Sequence, residues 1–203
     1  MSGQLRDALD VLFGQRTDVV AAWMRGQISD ADVIASLQIR LPRRYRDGYL
    51  YRALLRDCRT AAVDPDMAQL VRELRQHAFV VVATDNMDCF LRATPAVLTN
   101  ELGVDGLIVS SQVGALKAES PQRFFGPAIQ RYGLQPCDAV LIDDCRDTCA
   151  QFRVWGGDAF HYTDIDALRP QVTARIQRGR RDDVGRPPVH DRDVDLSAPQ
   201  RPR

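Results

Sequence analysis

Residues 140–162 read VLIDDCRDTCAQFRVWGGDAFHY. An apolar run ends in an acid pair, a helical stretch follows, two glycines stop it, and a second short apolar run begins. The first run, 139–143, has the β-branched, uninterrupted character of a strand buried on both faces. The stretch 145–155 suits a helix, Gly156-Gly157 breaks it, and 159–162 reads as the next strand. Strand, helix and strand at this spacing describe a crossover between parallel strands.

Working outward, the same rhythm recurs upstream. Phe79-Val80-Val81-Val82-Ala83 and Gly106-Leu107-Ile108-Val109-Ser110 are two further runs of this kind. A helical pattern over 120–132, opened by Ser120-Pro121, stands between the second and third runs. The four runs predict a Rossmann-like α/β fold: a parallel sheet flanked by helices, within residues 63–178. Asp64-Pro65 opens the helix before the first strand, with Asp as N-cap and Pro at the first helical position. Residues 1–62 read as helical throughout. Ser29 and Asp32 have capping-box spacing, and Val33, Ile34, Leu37 and Leu41 follow at helical intervals. Residues 179–203 hold four prolines, many arginines and aspartates and few apolar side chains, and are expected to be a disordered tail.

Composition narrows the function. The chain has 27 basic and 27 acidic residues, so no net field draws it to nucleic acid or to anionic membrane. Its longest apolar stretch, 78–83, is far too short to span a bilayer. Cys58, Cys89, Cys137, Cys145 and Cys149 form no CxxC pair, which suits reduced cysteines in a cytoplasmic protein. The basic residues are almost all arginine, and Lys117 is the only lysine. A lone lysine in such a background marks a position that needs a compact ammonium.

In open α/β sheets ligands bind at the carboxyl ends of the strands. The first strand here ends in Thr84-Asp85-Asn86, the second in Ser110-Ser111 with Lys117 shortly after, and the third in Asp143-Asp144. Hydroxyls, a cation and a carboxylate pair suit a phosphoryl group and a magnesium ion. Read generically, the same polar residues could simply cap the following helices.

VVVATDNMD (80–88), IVSSQVGALKAESP (108–121) and the opening stretch resemble, in order and spacing, the second, third and fourth motifs of the haloacid dehalogenase (HAD) superfamily. The resemblance runs from about Asp64 to Asp164. It implies a HAD-like core and a phosphatase-type hydrolase. Thr84 would be the phosphate-contacting hydroxyl, with Asp85, Asn86 and Ser110 beside it as substrate contacts. Lys117 would pair with the nucleophile and the transferred phosphoryl, and Asp143 and Asp144 would hold magnesium. The helical residues 1–62 resemble the cap that many members insert after their first strand, where Arg43, Arg44 and Tyr45 could meet substrate.

Three local departures stand out: Lys117 is followed by Ala118-Glu119 rather than Pro, Thr148 replaces a common acid or asparagine, and Asp85 replaces a common asparagine. A larger one lies upstream. Members begin with a strand ending in DxDx(T/V), whose first aspartate attacks phosphorus, and no such strand precedes residue 78. Asp64-Pro65-Asp66 opens a helix, Asp164-Ile165-Asp166 follows the last strand, and Asp191 and Asp193 lie in the tail. The expected protein is therefore a phosphomonoester phosphatase with an incomplete magnesium site and impaired turnover, acting on a small phosphorylated molecule. A non-catalytic relative that binds a phosphorylated ligand or a protein is the alternative, and a haloacid-dehalogenase-type hydrolase the third. In the family fold the first strand sits between the strands ending at Thr84 and Asp143. Its loss exposes two inner edges, which should pair with each other or take a segment from a second copy or a strand-donating partner.

Overall fold

The computed structural model describes residues 12–38, 48–59, 63–93, 98 and 102–182. Arg43, Arg44, Tyr45 and the tail beyond 182 lie outside the described residues. Helices α1 (Thr17–Met24), α2 (Asp30–Gln38) and α3 (Tyr49–Arg59) come first, then α4 (Pro65–Leu74) and strand β1 (Val81–Thr84). Helix α5 (Asp88–Ala93) leads towards β2 (Gly106–Val109), the short α6 (Ser110–Val113) and α7 (Pro121–Arg131). Strand β3 (Val140–Asp143), α8 (Arg146–Val154), β4 (Asp158–His161) and α9 (Ile165–Asp182) complete the order.

The capping signals act as their chemistry requires. Ser29 N donates to Asp32 Oδ2 at 2.9 Å while Asp32 N donates to Ser29 Oγ at 3.2 Å, closing the capping box of α2. Asp64 Oδ1 accepts from Asp66 N and Met67 N at 2.9 and 3.0 Å, so α4 starts at Pro65. Ser120 precedes α7, yet its side chain makes no capping bond. Helix α9 runs four residues past Arg178, further than its composition suggests.

The strands pair in parallel, as expected, but as two separate two-stranded sheets. β1 pairs with β2 in the register Val81↔Gly106 to Thr84↔Val109. β3 pairs with β4 from Val140↔Asp158 to Asp143↔His161. No described strand joins the halves, and β1 and β3 do not pair directly. Strand β1 was expected to be buried on both faces, yet all four of its residues are only half-buried. Among the described residues, its ladder to β2 covers one edge and no strand covers the other.

Helices cover both faces, and those on one face hold the two halves together. On one face α7 and α8 bring Phe124, Phe125, Cys149 and Phe152 onto Leu141 and Ala159 of the second half, with Ala83 and Ile108 of the first packed against the same cluster. On the other, Leu70 of α4 joins Leu168 and Val172 of α9 above Ile142 and Phe160. Neighbouring residues of β3 and β4 thus face opposite layers, as the two-residue period of a strand demands. Phe125 and Phe152 meet edge-to-face at a centroid distance of 4.9 Å, and Phe152 meets Trp155 at 5.6 Å. This cluster explains the double glycine. Gly156 has φ +110, and a Cβ on Gly157 would lie 2.1 Å from the buried Phe152 ring.

The helical N-terminal segment shares a third cluster with the turn after β1. Trp23 and Val33 pack with Met87 and Cys89, and Trp23 Nε1 donates to Asp88 Oδ1 at 2.8 Å. Arg92 of α5 pairs with Asp30 and Asp88. The closest approach is at Gly26 (φ +66), where a Cβ would sit 2.2 Å from the Ser111 carbonyl oxygen. Backbone meets backbone there, so neither side can yield cheaply. Gly26→Ala should therefore cost at least ~2 kcal/mol, combining left-handed backbone strain with a clash. Gly133→Ala, at φ +67 with nothing within 4 Å, should cost only about 1 kcal/mol. Urea denaturation of the two variants against the parent chain measures the difference, and equal losses would contradict the contact at Ser111.

Candidate functional site

The residues singled out at the strand ends come together around Lys117. Its backbone N donates to Asp85 Oδ1 at 3.0 Å, and its Nζ donates to Asp143 Oδ2 at 2.6 Å. One lysine thus ties the residue after β1 to the last residue of β3, across the split in the sheet. The pair is well enclosed, with side chains 15% and 5% exposed. The other Asp143 oxygen accepts from Cys145 N at 2.9 Å, at the start of α8.

The loop carrying Lys117 is fixed from both ends. Gly114 ends α6 in the left-handed conformation at φ 74, and its N donates to Ser110 O at 2.7 Å. Two residues past the lysine, Glu119 forms an ion pair with Arg25, whose Nε approaches Glu119 Oε2 at 2.9 Å. That hydrogen-bonded guanidinium holds the Glu119 carboxyl below its ordinary range. Sequence reasoning missed Arg25 and Glu119, because nothing in a local pattern announces a partner 94 residues away.

The remaining candidates have distinct surroundings. Thr84 is half-buried on the last rung of β1, opposite Val109. Ser110 is fully buried, and its hydroxyl donates to Asn86 O at 3.1 Å while accepting from Asn86 N at 2.8 Å. Those bonds stitch the ends of β1 and β2 together, so both residues are engaged within the fold. Asn86 Oδ1 in turn accepts from Met87 N at 3.0 Å. Asp144 is exposed, and its carbonyl is 2.9 Å from His161 Nε2. His161 went unmarked in the sequence, although its place at the end of the fourth apolar run was a usable signal.

Magnesium asks for a near-octahedral set of oxygens and usually takes one or two carboxylates with water and phosphate. Among the described residues no three His, Cys, Asp or Glu side chains gather as ligands. Both Asp143 oxygens are engaged, one by an ammonium and one by a backbone N–H, which leaves Asp144 as the exposed carboxylate of the pair. Two recesses, of about 460 and 390 Å³, lie along α9 and α7 rather than at the strand ends.

No family model matches the sequence, and no curated protein matches it. Solved structures do match the fold. A predicted HAD-like family hydrolase from Porphyromonas gingivalis superposes with a TM-score of 0.62 at 16% identity, over 86% of this chain and 89% of that one. A HAD family enzyme from Bacteroides thetaiotaomicron superposes with a TM-score of 0.61 at 15% identity, over 77% and 80% of the two chains. The same enzyme in complex with magnesium and inorganic phosphate gives 0.57 at 16% identity, over 70% and 73%. The chain therefore has the HAD-like fold, and at these identities the likeness is one of fold. No described helix is long and apolar enough to cross a membrane.

Asp85 sits partly buried among these groups. Burial pushes its carboxyl above the ordinary range, the Lys117 N–H and ammonium pull it back, and Asp143 adds to the rise. The folded chain therefore keeps a proton that the unfolded chain releases, so this group's contribution to stability falls as pH climbs from about 3.8 through the raised value. Asp85→Asn keeps the acceptor for Lys117 N and removes the half-buried charge. Its melting temperature at pH 7 should equal or exceed that of the parent, with the difference closing near pH 4. A variant destabilised at pH 7 would mean that the ionised carboxylate supports the fold.

Proposed function

We propose that this chain is a phosphatase-type member of the HAD-like fold that binds small phosphorylated molecules and has little or no turnover by itself. The observation that carries this reading is Lys117, whose ammonium is held on Asp143 at the carboxyl end of β3 and whose backbone N is held on Asp85, the residue after Thr84 at the end of β1. A cation and a hydroxyl at neighbouring strand ends suit the oxygens of a phosphoryl group. Its reaction class is transfer of a phosphoryl group to a carboxylate and then to water, which needs an acid within reach of phosphorus. Among the described residues no strand ends in the DxDx(T/V) pattern. Asp143 is spent on Lys117, and Asp85 on the Lys117 N–H, its carboxyl raised by burial. Binding without an attacking group leaves only slow hydrolysis by water.

Magnesium in this reading is at most loosely held through the exposed Asp144, so phosphate binding depends on Lys117 and Thr84 rather than on the ion. The five cysteines, all free thiols, suit a reducing, cytoplasmic setting. The non-catalytic alternative differs only in whether an attacking acid joins the site, and the Lys117–Asp143 pair, already satisfied without one, favours it for the chain as it stands.

The test is an aryl phosphate assay with magnesium on the purified chain, beside Asp144→Asn and Lys117→Ala, together with calorimetric titration of inorganic phosphate. Turnover should be indistinguishable among the three proteins. Phosphate heat should be present in the parent and reduced at least tenfold in affinity by Thr84→Val, a variant mild enough to leave the fold intact. Robust turnover lost in both Asp144→Asn and Lys117→Ala would overturn the reading and direct attention to Asp85 as the attacking acid.

A further inference from the structure

Helix α3 of the N-terminal segment packs on α5, the helix that follows the end of β1, and each brings a cysteine to the contact. Leu54, Leu55 and Cys58 of α3 lie against the cluster that holds the fully buried Cys89 of α5. The Cys58 thiol is in hydrogen-bond contact with the Cys89 thiol. A second contact, made by other residues, fixes the same alignment: the Arg92 guanidinium lies over the Tyr51 ring, 5.8 Å from its centroid. Tyr51 precedes Cys58 and Arg92 follows Cys89, so the helices run in opposite senses. The cysteines therefore meet where the last turn of α3 adjoins the first turn of α5. Both are thiols here, not a disulfide.

The two thiols differ in reach. Cys58 is only half-buried, whereas Cys89 has no exposed surface. Burial pushes the Cys89 thiol up to about 12, and Cys58 and Asp88 add to the rise. A small oxidant therefore meets Cys58 first, with Cys89 beside it to complete a bond. The surroundings keep the pair together beforehand: Trp23 of α1 is hydrogen-bonded to Asp88, and Asp30 of α2 is paired with Arg92, on either side of Cys89. A disulfide draws its sulfurs to ~2.05 Å, so thiols already in contact have little further to travel.

We propose that Cys58 and Cys89 are an oxidisable pair, converted by a small hydroperoxide into a reversible disulfide that locks α3 onto α5. The Cys58 sulfur attacks a peroxide oxygen and the O–O bond breaks. The departing oxygen leaves with the Cys58 proton, as water or an alcohol, and Cys58 becomes a sulfenic acid. The Cys89 sulfur then attacks the Cys58 sulfur, the S–O bond breaks, and hydroxide leaves as water with the Cys89 proton. The two thiols have lost two electrons, which the peroxide has gained. Small thiols in a reducing compartment reverse the bond, as they do for the transient disulfides found there. The closed loop, residues 59–88, contains α4, β1 and the strand-end residues Thr84 and Asp85. The proposal is independent of phosphate binding, since neither thiol is among the groups assigned to it.

The test treats the reduced full chain with hydrogen peroxide, blocks the remaining thiols in acid, and maps tryptic peptides by mass spectrometry. The main product should join peptides 57–59 and 76–92 at a mass two hydrogens below their sum. It should melt roughly 5–10 °C above the reduced chain, because the bond closes a long loop in the unfolded state. Dithiothreitol should restore the original mass and melting temperature. Cys58→Ser should lose both the joined peptide and the rise in melting temperature, while Cys137→Ser, in an exposed turn, should keep both. The peptide map of the parent chain needs no variant, so a poorly folded substitution does not remove the test. Treatment in denaturing urea should scatter the bonds among all five cysteines. The proposal fails if Cys58 goes on to a sulfinic or sulfonic acid without joining Cys89, or if the main bond pairs any other cysteines. It fails equally if the Cys58–Cys89 bond forms as selectively in urea, or if it lowers the melting temperature.

Discussion

Lys117 holds two half-sheets in register at the end where chemistry would occur. Its backbone grips the residue after β1 and its ammonium grips the end of β3. No other polar contact among those described does both. Breaking a buried ion pair by removing one partner typically costs ~3–5 kcal/mol, because the remaining charge is left without compensation. The lysine is thus structural and electrostatic at once. Its isolation among arginines follows from the geometry: a branched, planar guanidinium is a poor substitute for a point charge that must reach one carboxylate oxygen across a narrow gap.

What positions the lysine comes largely from outside the sheet. Arg25 clamps Glu119, Gly26 lies against the Ser111 backbone, and Trp23 is hydrogen-bonded to Asp88. These three contacts connect the helical N-terminal segment to the loops after β1 and β2. A shift of α1 would therefore reach Lys117 through its own loop without passing through the hydrophobic core. The exposed ion pair alone is worth little, typically below ~1 kcal/mol. The close backbone approach at Gly26 is what makes the docking specific.

Much of this was legible in the residues. The four apolar runs gave the strands to within two residues at their ends, because β-branched continuity and glycine stops are local signals. Asp64 and the Ser29–Asp32 box acted as caps for the same reason. The strand-end residues Thr84, Asp85, Lys117 and Asp143 were found through their order along the chain, which the topology converts into proximity. What the sequence could not show was pairing between distant side chains. Lys117, expected to face a nucleophile and a phosphoryl group, is paired with Asp143, an acid expected to hold metal. Ser110 was expected at the ligand and is buried in a bond to Asn86, since a hydroxyl at a strand end can turn inward as readily as outward. The half-burial of β1 was equally invisible, because an apolar run reports what a strand can bury and not how far it is covered.

The charge count at the strand ends explains why such a site would hold an anion only loosely. Lys117 supplies one positive charge, and Asp143 neutralises it at 2.6 Å. Asp144 adds a negative charge at the exposed rim. Asp85 responds to the same crowding: burial raises its carboxyl above the ordinary range, and Asp143 and Glu119 add to the rise. A phosphate dianion arriving here meets an ammonium with two donors left over from its bond to Asp143, but also a surplus of carboxylate nearby. Relief could come from a cation at Asp144, or from a movement that withdraws Asp143 towards the Cys145 N–H and leaves the ammonium to the ligand. The second route uses a bond already made, at 2.9 Å, to the other oxygen of the same carboxylate. That route still gives up the buried ion pair that joins the two half-sheets, so a phosphoryl ligand at this place would have to compete with Asp143 for the ammonium.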